Sequence, residues 1–361
     1  MTIKTVSLFS GAGGMDLGFQ TSGYEILWAN DIDRDAASTY EANLGDHIVL
    51  QDLKKIQYDR IPKGEVVIGG PPCQSFSLVG KRDLNNENGK MVWEYLNAIK
   101  YVKPKAFIFE NVVGLNSART PSGGKVWDDL KAAFVNLGYF VKKVQINAAD
   151  FGIPQRRKRV FIFGFDTPVD FVLPKKTHDE IGSEGMEKWI PVWDAISDLP
   201  SPVLSGDAEY SYPPTTKLQE ILRGSGSVVT EHIIPKVSEL DKRIIESIPV
   251  GGNYMDVPDD IPSARIKKFK ETGGRTTCYC RLEPDKPAYT INTYFNRPNV
   301  GCNIHYGESR LITIREAMRI QTFPDDFKLK SKTERGKYKA IGNAVPPMLA
   351  KVLAEHLKKY V

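Results

Sequence analysis

Six short apolar runs, separated by stretches long enough for helices, constrain the fold of this chain more than any other feature. They occupy residues 5–9, 25–29, 48–50, 65–69, 106–109 and 159–163. Runs this short and this apolar fit strands buried on both faces. Alternating with helical segments, they indicate a mainly parallel α/β sheet. Ligands of open α/β sheets bind outside the carboxyl ends of the strands. The residues found there are Ser10-Gly11, Asp31, Asp52, Pro71-Pro72-Cys73 and Glu110-Asn111, so these junctions are expected to line one site.

The character changes near residue 170. Residues 171–310 hold 13 of the 23 prolines, with 17 Lys and Arg against 20 Asp and Glu, and show only weak periodicity. This reads as an irregular, β-rich insert of turns and short strands. Order returns at Thr313-Ile314-Arg315-Glu316, which has the capping-box form and opens a helix expected to stop before Pro324. Met348, Leu349, Val352, Leu353 and Leu357 predict a final amphipathic helix. The expected division is therefore a domain of residues 1–170 completed by 311–361, around a second domain of 171–310. A hydrophobic share of 41% and a charged share of 26% exclude disorder as the dominant state. No apolar run reaches membrane-spanning length, and the first residues lead straight into a strand, leaving no room for a signal peptide. Four cysteines in 361 residues make no disulfide framework, which points to a reducing cytoplasm. The net charge of +5 permits a polyanionic partner without requiring one.

Several motifs could carry chemistry. In Phe9-Ser10-Gly11-Ala12-Gly13-Gly14 the glycines allow a tight turn close to a ligand. The third glycine of the dinucleotide fingerprint would fall on Asp16, so a pyrophosphate is disfavoured. Asp31 suits ribose hydroxyls and Asp52 an adenine amino group, which together suggest an adenosine-containing ligand; a plain turn is the competing reading. Cys73 follows Gly69-Gly70-Pro71-Pro72 and is either an exposed nucleophile or an inert small hydrophobe. Glu110 ends an apolar strand as a helix cap or a proton donor. In Gln155-Arg156-Arg157-Lys158-Arg159, Arg157 and Arg159 share a face if strand geometry starts early, and could hold a carbonyl oxygen or phosphate; a solvated basic face is the alternative. Gly342-Asn343-Ala344-Val345-Pro346-Pro347 is a rigid turn before the last helix. Cys278, Cys280, Cys302 and His305 match a four-ligand zinc site in number, but nothing around them supports one, and no metal is expected.

Taken in order, these motifs resemble those of the DNA (cytosine-5)-methyltransferases of bacterial and phage modification systems. The matching pieces are Phe9 to Gly14, Pro71-Pro72-Cys73-Gln74, Glu110-Asn111-Val112, Gln155 to Arg159, Arg315-Glu316-Ala317-Met318-Arg319 with Phe323-Pro324-Asp325-Asp326-Phe327, and Gly342-Asn343-Ala344. The resemblance spans nearly the whole chain outside 171–310. It implies a Rossmann-like fold dependent on S-adenosylmethionine, and an insert that recognises the DNA target. It implies that Cys73 is the nucleophile, that Glu110 binds the cytosine ring nitrogen and amino group, and that Arg157 and Arg159 flank the base, Arg159 meeting its carbonyl. Phe9, Ser10, Gly11, Ala12, Gly13, Gly14, Asp31, Ile32, Asp52, Leu53, Pro72, Asn343 and Ala344 match positions around the cofactor.

The implied partner is double-stranded DNA with the target cytosine flipped out of the stack. The polar segment 78–90 reads as a loop closing over it, with Ser77, Lys81 and Arg82 as contacts. Within the insert, Arg265, Lys267, Lys268, Lys270, Arg275 and Arg281 form a local basic patch that could meet phosphates or read guanine, with Arg297 as a further contact; a solvated helix face is the competing reading for 265–270. A monomer is expected, with any cognate restriction endonuclease acting on the same DNA site without forming a stable complex. The rivals are a transfer-RNA methyltransferase of the same chemistry, a catalytically dead DNA-binding relative, and a nucleotide-dependent oxidoreductase.

Overall fold

The computed structural model describes residues 2–72, 87–120 and 123–361, the side chains of 87–90 excepted. The chain divides into two compact units. The first comprises 1–147, 158–175 and 345–361; the second comprises 148–157 and 176–344. Residues 311–344 thus fall in the second unit and only the last stretch returns to the first.

The first unit is built on β1 (Ile3–Leu8), α1 (Gly14–Thr21), β2 (Tyr24–Asp31), α2 (Arg34–Leu44), β3 (Ile48–Leu50), β4 (Val66–Gly69), α3 (Glu87–Val102), β5 (Ala106–Val112), α4 (Val126–Asn136) and β6 (Phe140–Asn147). The two-residue β7 (Gln155–Arg156) belongs to the second unit, and β8 (Lys158–Phe165) returns to the first. The seven-stranded sheet has the order β3-β2-β1-β4-β5-β8-β6. Strands β1 to β5 pair in parallel, and β8 runs antiparallel to both β5 and β6. Chain reversal over only residues 148–157 is too short for a parallel crossover, so β8 must run back against β6. Strand β6 had no apolar run to announce it. It is an edge strand whose Lys142 and Lys143 interrupt the pattern, as edges commonly do.

The continuous apolar runs are explained by burial on both faces: Val66, Val67, Ile68 and the whole of 106–109 are fully buried. Phe107 stacks on Phe134 of α4, with ring centroids 4.5 Å apart, and meets Tyr139 and Tyr95 edge-on. The C-terminal helix Pro347–Leu357 packs on α1, burying Leu349, Ala350, Leu353, Ala354 and Leu357. Gly18 makes this approach possible, because a Cβ there would lie 2.5 Å from both Ala350 Cβ and the Pro347 carbonyl. The Tyr24 hydroxyl donates to the Ala354 carbonyl from the adjoining strand. Residues 87–90, read as loop from their polarity, are the first turn of α3. Among the described residues no helix is long and apolar enough to cross a membrane.

The second unit has less strand than its prolines and turns suggested. Its described strands are two residues long, whereas helices Lys217–Arg223, Glu239–Ser247, Ala264–Thr272, Ile314–Ile320 and Glu334–Asn343 supply most regular structure. Each opens on a side-chain cap, from Thr216, Ser238, Ser263, Thr313 and Thr333 respectively. Such caps are visible in sequence but easily lost among turn residues. The capping box on Thr313 and Glu316 forms as expected. Glu316 also accepts from Arg310 through both oxygens. Burial alone would raise that carboxyl, but the Arg310 guanidinium outweighs it and holds Glu316 at about 2. Arg319 is enclosed between Asp198 and Asp325. Cys280 and Cys302 form a disulfide, leaving Cys278 free, so the chain contains a pairing that its low cysteine count did not suggest.

Candidate active site

Parallel pairing brings the carboxyl ends of β1, β2, β3, β4 and β5 to one edge of the sheet. At the end of β1, Phe9 adopts φ +54°, a left-handed conformation that costs a bulky L residue about 1 kcal/mol or more. Such strain persists where the surroundings fix a turn. Gly11 follows at φ +57°, with open space where a side chain would stand, and Gly13 at φ +88° caps α1. The Ser10 hydroxyl donates to that of Ser7, and the Ser10 amide donates to the Asn30 carbonyl. Ala12 and Gly14 are buried beneath the turn.

Asp31 orients this turn from β2. Its Oδ2 accepts from the Gly11 amide at 2.8 Å and its Oδ1 from the Asp33 amide at 2.8 Å. The next residue, Ile32, is 68% exposed, an apolar face at a strand end lined by carboxylates. Asp52 caps the short helix Leu53–Lys55 through the Lys54 amide. Leu53, expected at the cofactor, has its side chain buried in the core. Asn30 was not singled out from sequence. It is buried and donates to the carbonyls of Val49 and Gln51, tying β2 to the end of β3. An asparagine directly between the apolar run and Asp31 was the available signal.

The second half of this edge lies between β4, β5 and β8. Antiparallel pairing sets Arg159, at the start of β8, opposite Val112 at the end of β5. Arg159 Nε lies 3.2 Å from Glu110 Oε1, with both side chains largely buried. Glu110 therefore caps no helix; it stands within β5 and faces a guanidinium. Asn111 donates to the Pro71 carbonyl at 3.2 Å, fixing the Gly70–Pro72 backbone against β5. At Gly70 a Cβ would lie 2.9 Å from Glu110 Oε2, so a side chain there would push the Glu110 carboxylate from its place beside Arg159. Pro72 is described at the end of this segment; Cys73, Ser77, Lys81 and Arg82 lie outside the described residues.

Arg157 takes a different place from its neighbour. It sits between β7 and β8 rather than within a strand, so the same-face argument linking it to Arg159 does not apply. It belongs to the second unit, is 1% exposed, and donates to the carbonyls of Ile291 and Gly342. So enclosed, its guanidinium acts in this structure as a tie between the 155–157 segment and residues 291 and 342. Gln155 reinforces it: its Oε1 accepts from the Ile291 amide and its Nε2 donates to Gln321, which donates to the Ile341 carbonyl. Gly342 lies so close to the Asn292–Thr293 backbone that a Cβ would come within 2.5 Å. These bonds lock the 155–157 and 341–342 segments to residues 291–293. Asn343 ends the helix Glu334–Asn343 with its side chain exposed, followed by Ala344; both belong to the second unit.

The basic patch separates into surface and interior. Lys267, Lys268, Arg275 and Arg297 are exposed, with the Arg297 guanidinium 5.0 Å from the centre of the Tyr294 ring. Arg265 is half exposed and donates to the Tyr279 hydroxyl. Arg281 is not a surface contact. Its guanidinium is buried and donates to the carbonyls of Ile245, Ile248, His305 and Glu308, a structural role that charge counting cannot distinguish. His305 accepts from the amides of Gly307 and Glu308, and among the described residues no cluster of His, Cys, Asp or Glu is arranged to hold a metal.

The family model described as C-5 cytosine-specific DNA methylase matches residues 3–359. Among curated relatives, the type II methyltransferase M.NgoFVII of Neisseria gonorrhoeae is 35% identical over 359 residues, covering 98% of this chain and 86% of its own. M.AgeI of Thalassovita gelatinovora, also a type II methyltransferase, is 31% identical over 99% of both chains. Among solved structures, a chain described as a prophage DNA modification methyltransferase of E. coli superposes with a TM-score of 0.74 at 22% identity, covering 99% of each. The Dnmt2 methyltransferase of S. pombe gives a TM-score of 0.60 at 15% identity, again over 99% of each chain.

Proposed function

Because this chain belongs to the C-5 cytosine-specific DNA methylases, we propose that it methylates carbon 5 of a flipped-out cytosine in a specific duplex sequence, using S-adenosylmethionine and a covalent Cys73 adduct. The observation that carries this reading is the Glu110–Arg159 pair, 3.2 Å apart at the strand edge that Gly70 and Pro72 approach on the way to Cys73. A carboxyl and a guanidinium side by side match the ring nitrogen with its amino group and the carbonyl oxygen of one cytosine edge.

The residues present fit the cofactor. The open space at Gly11, the exposed Ile32 and the carboxylates of Asp31 and Asp52 suit a nucleoside with an apolar base face and ribose hydroxyls. In the first unit, Phe9 to Gly14, Asp31, Ile32, Asp52, Leu53 and Pro72 would hold it. When bound, it supplies an electrophilic methyl group. The Cys73 thiolate adds to carbon 6 of cytosine, which makes carbon 5 nucleophilic. Glu110 hydrogen-bonds the ring nitrogen and stabilises the charge that develops there, while Arg159 holds the carbonyl oxygen. Loss of the carbon-5 proton then expels Cys73. Arg157 acts indirectly, through the Ile291 and Gly342 carbonyls.

The second unit is proposed to recognise the DNA sequence through Lys267, Lys268, Arg275 and Arg297, with Arg265 beside them. Ser77, Lys81 and Arg82 are proposed to contact DNA from the first. The protein is further proposed to act as a cytoplasmic monomer that protects the site cut by a separate restriction endonuclease; the relatives are named type II methyltransferases.

Labelled S-adenosylmethionine offered with duplex DNA and with transfer RNA tests the reading. Label is expected in DNA only; label confined to transfer RNA sinks it. Cys73→Ser should abolish transfer while cofactor binding persists, and Arg159→Ala should lower kcat/KM by about 10²–10³. Bisulfite sequencing of DNA from expressing cells then gives the modified cytosine.

A further inference from the structure

The turn after β1 is braced from behind by side chains that the reaction does not use. Asp16, in the first turn of α1, is 1% exposed. Its Oδ1 accepts from the Tyr40 hydroxyl on α2 at 3.0 Å, and its Oδ2 is buried as well. The Tyr40 oxygen also lies 2.9 Å from His47 Nε2. A tyrosine has one proton, so donation to Asp16 leaves His47 as the donor to Tyr40. The Tyr40 ring lies beneath Gly13, where a Cβ would come within 2.9 Å of Cδ2. On the other side, the Ser7 hydroxyl beside Asp16 accepts from Ser10. One buried carboxyl thus stands behind both ends of the Ser10–Gly13 turn. A buried carboxyl is a costly filler for such a space, and costly buried groups beside a ligand loop are a mark of function.

We propose that Asp16 is a positioning residue for the cofactor loop: acting through Tyr40 and Ser7, its carboxylate holds the Ser10–Gly13 turn in the shape that receives S-adenosylmethionine. The proposal rests on the cofactor reading above. A hydroxyl donates more strongly to a charged carboxylate than to a neutral one, so the brace tightens when Asp16 ionises. Burial pushes Asp16 up to about 6, against the pull of Ser7 on β1, of Tyr40 on α2 and of its own amide, while Asp31 on β2 adds to the rise. His47, whose own pKa burial lowers against the pull of Asp46, reaches Asp16 only through Tyr40. Cofactor affinity should therefore fall as pH drops through about 6.

Equilibrium binding of S-adenosylmethionine to the full chain, measured between about pH 5 and pH 8, tests this. The wild-type dissociation constant should rise about tenfold toward the acid end, as for a competent state reduced to about a tenth. Asp16→Asn should bind about tenfold more weakly at pH 8 and show a flat profile. An Asp16→Asn protein with wild-type affinity, or with the wild-type pH dependence intact, overturns the proposal and leaves the cofactor reading standing. A wild-type protein that binds no S-adenosylmethionine at any pH overturns both. Should Asp16→Asn fail to fold, Tyr40→Phe decides: weakened binding is the expected result, and unchanged affinity refutes the brace.

Discussion

Asp16 is held against its own preference. In the unfolded chain it would ionise near 4, and in the fold only at about 6. A carboxyl with a raised pKa favours the folded state while protonated, and that advantage is lost as pH rises from about 4 through 6. Above 6 the group costs the fold roughly 3 kcal/mol. Asp16→Asn should therefore melt higher than wild type at pH 8 and no higher at pH 4, read by calorimetry. An equal or lower melting temperature at pH 8 would contradict the burial argument. A gain in stability with a loss of cofactor affinity is the trade expected of a functional residue. Sequence marked Asp16 only as the residue that breaks a dinucleotide fingerprint, because burial and the Tyr40 contact come from an element 24 residues away. Arg157 and Arg159 differ in the same way. Two basic residues apart by two positions looked equivalent, yet one meets Glu110 and the other binds two backbone carbonyls.

At the scale of elements, what was legible was what is local. The apolar runs became β1, β2, β3, β4, β5 and β8; in β4 and β5, buried on both faces, the run needs no partner to reveal it. Thr313 and Glu316 announced their helix by the chemistry of its first turn. β6 was hidden by its edge position, and the short helices of the second unit by neighbouring prolines. Close approaches were not legible at all. Gly18 stands in α1 where helix propensity favours alanine by about 1 kcal/mol. Its Cβ would, however, meet backbone atoms of Pro347 and Lys351 near 2.5 Å. Overpacking of this kind costs about 1–3 kcal/mol and outweighs the propensity. Gly18→Ala should thus lower the urea midpoint of unfolding; a higher midpoint would show that the two helices can part without cost.

For the whole molecule, net charge was a poor guide, since residues of one sign serve opposite ends. Lys267 and Lys268 stand in solvent, while Arg281 closes four backbone carbonyls in the interior. Replacing Lys267 and Lys268 by alanine should weaken duplex binding and reduce the salt slope of log K by roughly 1 for each phosphate left without its lysine. An unchanged slope in fluorescence anisotropy would remove this face from the DNA interface.

The first unit draws on three separate stretches, the last of them 345–361. On a ribosome, which delivers the chain from its N-terminus, α1 must wait for the final helix through some three hundred residues of synthesis. The nascent first unit therefore carries an uncovered apolar face around Gly18 until residues 347–357 have been made, so its folding is timed by the synthesis of the second unit rather than by the emergence of its own sheet.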